Sequence, residues 1–267
     1  MFRKYWGLRE SPFRPALDWR RFFPSPTHEE ALARLDFLLD QGRRLGLLLG
    51  PTGCGKSLVL EVFARKIRRR GAQVANLSLL GADLHEFLWL TAAELGTNPD
   101  RGDDAFRLWR GVLDRLTESR YQQLDTVLLL DDAPQADVSV LEHVARLAQL
   151  EGKGGGGLMI VVTADGAHRL PGRLLELAEL RIDLEPWEPA DTNEYVTTAL
   201  NRAGATSEIF TDDGLRHLHD SCQGVPRRVI RLANLALLAG AGRQAAQIDA
   251  EVVDSADHEL GAVEAVA

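Results

Sequence analysis

The stretch Gly50-Pro51-Thr52-Gly53-Cys54-Gly55-Lys56-Ser57 limits what this chain can fold into more than any other. It satisfies the pattern G-x-x-x-x-G-K-[ST] in full. In that pattern the glycines let successive backbone N–H groups turn inward around a phosphate. The flanks fit the same geometry. Leu45-Gly46-Leu47-Leu48-Leu49 is a short apolar run interrupted by glycine and reads as a buried strand. Ser57 to Arg70 reads as a helix with Leu58, Val59, Val62, Phe63 and Ile67 on one side. A helix beginning near Lys56 adds its positive dipole end to the loop. Expected nucleotide contacts therefore run through Gly50, Pro51, Thr52, Gly53, Cys54, Gly55, Lys56, Ser57 and Leu58. Lys56 is placed to reach the β- and γ-phosphates and the Ser57 hydroxyl to ligate Mg²⁺. Only four of the 31 basic residues are lysines, which gives the one at position 56 added weight. Cys54 sits at a variable position, either as a tolerated small residue or as a redox-sensitive thiol.

Apolar runs and helical periodicity continue in alternation beyond the loop. Strands are expected at 73–79, 126–130, 158–162 and 180–184. Helices are expected from Glu29 to near Gly42, twice between Asp83 and Tyr121, and from Ser139 to Leu150. The run Gly152 to Gly157 reads as a flexible connector. Such alternation implies a parallel sheet sandwiched by helices. After Pro186-Trp187-Glu188-Pro189 the strands stop, and 191–203, 212–221, 226–239 and 250–260 read as helices only. The expected organisation is an α/β nucleotide-binding domain over 1–185 and a small all-α domain over 186–267. Residues 1–27 hold four of the 11 prolines and seven aromatic residues from Phe2 to Phe23, and read as an extended segment, counted within 1–185 and packed on a domain.

Composition excludes other classes. At 267 residues and 45% hydrophobic, the chain can bury a large core without disulfides. Its apolar runs, among them Leu47–Leu49, Val127–Leu130 and Leu158–Val162, fall far short of the roughly 20 residues of a spanning helix. The N-terminus lacks a signal-peptide core. Two cysteines, Cys54 and Cys222, make no disulfide framework, so a cytoplasmic location is expected. A net charge of −8 argues against a generally basic nucleic-acid coat.

A phosphate loop needs a carboxylate at the end of a neighbouring strand. Val127-Leu128-Leu129-Leu130-Asp131-Asp132 supplies two. Asp131 is the candidate for holding Mg²⁺ through water, and Asp132 for polarising the attacking water. Thr163 closes the next apolar run and should lie beside Asp131. It is read either as a water- or γ-phosphate-contacting residue or as a plain turn residue. The histidines, including His28, His217 and His219, read as surface or packing residues. Arg65, Lys66, Arg68, Arg69 and Arg70 form a basic cluster, either favourable charge at a helix C-terminus or a contact for a DNA backbone.

Two further stretches resemble known families. Gly224-Val225-Pro226-Arg227 opening a helix is similar to the sensor-2 motif of the AAA+ ATPase lid. That resemblance implies that Arg227 reaches the nucleotide phosphates. Tyr5-Trp6-Gly7-Leu8, Ser11-Pro12-Phe13, Arg21 to Ser25 and His28 to Leu32 resemble the opening of ExeA-type ATPases, relatives of the TniB-, MuB- and IstB-like transposition helpers. Phe210-Thr211, Ala236 to Leu238 and Ile248-Asp249 follow in the family's order. The resemblance implies ATP with Mg²⁺ as cofactors and hydrolysis that drives a switch or motor. It also implies a homo-oligomer in the ATP-bound state, a protein partner, and duplex DNA as an alternative partner. In the alternative form the chain is a DNA-bound adaptor whose hydrolysis only resets its state. It implies an arginine finger acting between subunits, best matched by Arg181 and next by Arg173. Where ExeA-type proteins carry Asp-Glu-Ala-Gln, this chain has Asp131-Asp132-Ala133-Pro134, closer to DnaA- and IstB-like relatives. ExeA itself continues into a membrane helix and a peptidoglycan-binding domain. Neither occurs in these 267 residues, so the secretion role is not expected to carry over. No guanine-reading Asn-Lys-x-Asp stretch is present, and a metabolite kinase is disfavoured by the helical tail.

Overall fold

The computed structural model describes residues 2–14, 18–150 and 157–264. Gly152 to Gly156 of the expected connector lie outside them. The chain divides into two compact units. One holds Trp19–Thr52 and Lys56–Leu184; the other holds Met1–Asp18, Gly53–Gly55 and Glu185–Ala267.

In chain order, α1 (Phe2–Tyr5) belongs to the helical unit, and α2 (Pro26–Asp40) opens the sheet unit. There follow β1 (Leu45–Leu49), α3 (Lys56–Arg69), β2 (Gln73–Ser78), α4 (Leu84–Glu94), α5 (Ala105–Tyr121) and β3 (Thr126–Asp131). The unit is completed by α6 (Val138–Ala148), β4 (Leu158–Ala164), α7 (Gly172–Leu177) and β5 (Leu180–Asp183). The helical unit continues with α8 (Pro189–Arg202), α9 (Asp212–Cys222), α10 (Pro226–Gly242) and α11 (Ala250–Glu264).

The five strands form one parallel sheet in the order β2-β3-β4-β1-β5. β4 therefore lies between the strand that leads into the phosphate loop and the strand that ends in Asp131. Alternation along the strands divides the two faces. Leu45, Leu47, Leu49, Leu128, Leu130, Ile160 and Val162 join Phe87, Leu88, Val112 and Val144 in one core, on the side of α4, α5 and α6. Each such buried side chain contributes about 1.5–3 kcal/mol. The opposite face carries α2 and α3. A Cβ at Gly46 would stand 2.5 Å from Leu38 Cδ1, so α2 can seat on β1 only if that position has no side chain. Asp131 and Thr163 share the parity of this face.

The N-terminal segment departs from expectation in two ways. It is not extended throughout, since Phe2–Tyr5 form a helical turn and Trp19–Arg21 a single 3-10 turn. Its first residues also group with the helical unit rather than with the sheet. Trp6 Nε1 donates to Leu237 O at 2.9 Å, Tyr5 OH donates to Ala245 O at 2.7 Å, and the Phe13 ring leans on Tyr195, which packs on Trp187. Aromatic side chains need cover, and Tyr and Trp a hydrogen-bond partner at the polar tip; α8, α10 and the turn after α10 supply these. Only Trp19 onward belongs to the sheet unit. Within it, buried His28 meets Ser25 Oγ at 2.5 Å and the Phe22 ring edge-on, a packing histidine.

Candidate phosphate site

The phosphate loop leaves the carboxyl end of β1, a central strand. Gly50 follows Leu49 directly, and a Cβ there would lie 2.3 Å from Leu184 O. The glycine is needed because the chain after β5 passes against the loop's first residue, with Leu184 N–H bonded to Leu49 O at 2.6 Å. Gly53 and Gly55 adopt φ of 94° and 97°, values that side chains rarely accept. Helix α3 begins at Lys56, so Lys56, Ser57 and Leu58 lie in its first turn, where backbone N–H groups have no intrahelical acceptor. Lys56 is only 8% exposed, and its ammonium folds over the loop, donating to Gly50 O at 2.6 Å and Pro51 O at 3.2 Å. Cys54 is fully buried, which fits a tolerated small residue better than a redox-sensitive thiol.

The acid pair stands two strands from the phosphate loop, at the end of β3, with β4 between. Asp131 is 9% exposed and closes β3. Thr163, fully buried, is inside β4 rather than after it. It pairs in register with Leu48 of β1, and its hydroxyl donates to Asp131 Oδ1 at 2.5 Å. The same oxygen accepts the backbone N–H of Asp132 at 2.9 Å. This is not a plain turn residue. Asp132 is exposed and takes the left-handed conformation, φ 54° and ψ 39°. That backbone is costly for a residue with a side chain, and aspartate is among the few that tolerate it. The bend turns the chain at once into the 3-10 turn Ala133–Gln135. Asp132 therefore projects from the carboxyl end of the sheet.

Arg227 is exposed in the first turn of α10. Its N–H donates to Gly53 O at 3.2 Å, and both residues belong to the helical unit. Sequence reasoning offered its side chain alone; the main-chain contact was signalled only by a glycine at a position where the motif does not ask for one. Arg181 is exposed on the edge strand β5 opposite Leu47. Its Nε donates to both carboxylate oxygens of Asp183 at 2.9 Å, and Nη2 reaches Oδ1 at 2.8 Å. Those bonds and the neighbouring charge hold its pKa above the ordinary guanidinium value. Arg173 pairs with Glu176 and donates to Gln149.

The basic cluster at the end of α3 is largely neutralised within the unit. Arg65 pairs with Glu61 and stacks on Trp19, Lys66 meets Asp36, Arg68 meets Glu94, and Arg70 lies between Asp36 and Asp40. These pairs favour the reading of charge placed at a helix C-terminus over that of a DNA-backbone contact. Among the described residues no group of three or more His, Cys, Asp or Glu side chains could hold a metal ion, and no helix is long and apolar enough to cross a membrane.

A parallel sheet with a glycine-rich loop after a central strand, and a carboxylate ending the strand two places away, defines a P-loop nucleotide-binding core. The family follows from comparison with known proteins. Residues 39–186 match the family model described as AAA domain, more than half of the chain, and the chain belongs to that family. It is 27% identical over 271 residues to General secretion pathway protein A of Aeromonas hydrophila. That similarity covers 98% of this chain and 49% of the relative, so the chain spans about half the relative's length. Cdc6p from Pyrobaculum aerophilum superposes with a TM-score of 0.68 at 23% identity, over 91% of this chain and 71% of its own. The Aeropyrum pernix ORC1 protein, solved in complex with DNA, gives 0.66 at 20% identity, over 94% and 71%. The Thermotoga maritima RuvB Holliday junction branch migration motor gives 0.60 at 16% identity, over 94% and 74%. These structural likenesses establish the shared fold.

Proposed function

We propose that this chain binds and hydrolyses ATP with Mg²⁺ as an ExeA-like AAA switch or motor that assembles into a homo-oligomer when ATP is bound. The observation that carries the reading is the Thr163 hydroxyl, buried between the Asp131 carboxylate and the Asp132 N–H, one strand from the phosphate loop. A buried threonine with no chemical task would not need to tie two consecutive acids together.

The residues fit the cofactor. Ser57 and Asp131 offer hard oxygen donors, and Mg²⁺ ordinarily takes one or two such protein groups, the remainder coming from phosphates and water. When bound, Mg²⁺ neutralises charge on the β- and γ-phosphate oxygens. Lys56 contributes the positive charge at the loop. Thr163 holds Asp131 in one orientation. Asp132 is the candidate for orienting the attacking water and accepting its proton, its carboxylate carried outward by the left-handed bend. The Arg227 side chain is the candidate for a phosphate contact from the helical unit. Arg181, exposed and already bidentate with a carboxylate, is the candidate for stabilising phosphoryl charge in a neighbouring subunit. The two buried thiols, Cys54 and Cys222, suit a reducing compartment.

The test is steady-state ATP turnover of the purified chain, with and without duplex DNA. Absence of Mg²⁺-dependent turnover would sink the proposal. Stimulation by DNA would favour the adaptor form of the reading. Indifference to DNA points to a protein partner.

A further inference from the structure

Helix α10 begins without a side-chain cap, because its N-cap residue is Val225. The N–H groups of its first turn need acceptors from outside the helix. The acceptor for Arg227 is the Gly53 carbonyl of the phosphate loop, at 3.2 Å. The approach is close. A Cβ on Gly53 would stand 3.0 Å from Arg227 Cβ and 3.1 Å from Val225 Cγ1. The turn is itself fixed. Gly224, at φ +66°, accepts from Trp187 N–H at 2.9 Å and donates to His219 O at 3.3 Å, and a Cβ there would lie 2.1 Å from Trp187 O.

We propose that the Gly224–Arg227 turn is a main-chain clamp that sets the phosphate loop's anion-binding geometry, independently of the Arg227 side chain. The peptide linking Gly53 to Cys54 is planar, with its C=O and N–H pointing in opposite directions. With the carbonyl held by Arg227, the Cys54 N–H is turned away from α10 and takes the inward orientation that a loop of this pattern needs. With the clamp lost, Gly53 is free to rotate, since glycine meets little resistance to either sign of φ. Arg227 is then a positioning residue through its backbone. This inference rests on the nucleotide-binding reading above.

The experiment compares Arg227→Ala with Arg227→Pro, both lacking the side chain but only the second lacking the N–H. Proline is tolerated in the first helical turn better than anywhere else in a helix. Affinity for fluorescently labelled ADP is read beside the melting temperature without nucleotide. The clamp predicts that Arg227→Pro binds about tenfold more weakly than Arg227→Ala at similar melting temperature, because the Cys54 N–H loses its charge-assisted hydrogen bond to the phosphate. Equal affinities would overturn the clamp and leave the ATPase reading standing; a wild-type chain that does not bind ADP would overturn both. Should Arg227→Pro not fold, amide exchange in the wild-type protein decides. The Arg227 N–H must exchange at least about tenfold more slowly than in an unfolded chain, and exchange at the unfolded rate overturns the clamp.

Discussion

The Thr163 hydroxyl donates to Asp131 at 2.5 Å and at the same time accepts the Asp132 N–H at 2.9 Å. One oxygen on β4 thus fixes both the carboxylate that ends β3 and the strained residue after it. Thr163→Val keeps the shape and removes that oxygen. We expect a loss of stability of about 1–3 kcal/mol from the unpaired buried groups. We also expect a weaker apparent Mg²⁺ affinity for turnover, by roughly 10–100-fold, as for other residues that orient metal ligands. Thermal melting and a Mg²⁺ titration of turnover measure both, and an unaltered Mg²⁺ dependence would remove the orienting role.

Asp132→Asn separates chemistry from backbone. Asparagine also tolerates the left-handed region, so the turn into Ala133 survives. Turnover should fall by about 10²–10⁴-fold, the usual share of a general base. ADP affinity and melting temperature should stay near wild type. Turnover within a few-fold of wild type means that Asp132 is not the base.

Arg181 sits on an exposed edge, and its pair with Asp183 is of the kind that contributes little to stability. Arg181→Ala should leave the melting temperature close to wild type and lower ATP turnover by about 10³-fold if it acts as a finger. Mixing it with excess Lys56→Ala subunits, which are inactive but keep Arg181, should restore part of the rate. Full activity of Arg181→Ala alone would falsify the assignment and move attention to Arg173.

How much of this was legible in the sequence varies with the range of the interaction. The strand, turn and helix around Gly50 to Ser57, the end of β3 at Asp131 and the position of most helices rest on local pattern and agree with the structure. β4 runs on through Thr163 and Ala164, two residues beyond the apolar run, because strand pairing with Leu48 and Leu49 does not require an apolar side chain. The neighbours of Tyr5, Trp6 and Phe13 were not legible, because aromatic residues announce a need for burial without naming their partner. Nothing local reveals that Trp6 reaches Leu237. The Arg65–Arg70 cluster looked available for phosphate because its acids, Asp36, Asp40 and Glu94, come from other helices.

Cys222, buried between helices of the helical unit, has its thiol pKa pushed up from 9.0 to about 12, chiefly by burial. The folded state therefore holds this proton more tightly than the unfolded state. The stabilisation is complete below pH 9 and is lost as the pH rises from there toward 12, by at most about 1.4 kcal/mol per pH unit. Urea unfolding of the wild type and of Cys222→Ala across that range should give different slopes. Parallel slopes would mean that the thiol ionises as readily folded as unfolded.

The helical unit is stitched from both ends of the chain, Tyr5 and Trp6 closing on Ala245 and Leu237. On a ribosome the sheet unit, whose residues end at Leu184, has all its strands before α10 exists. Tyr5 and Trp6 must wait through the synthesis of more than two hundred residues for the acceptors that Ala245 and Leu237 provide. A nascent chain stalled after β5 would present a finished sheet and an unsatisfied leader. The nucleotide core is thus complete in the order of synthesis well before the two hydrogen bonds that join Tyr5 and Trp6 to the helical unit.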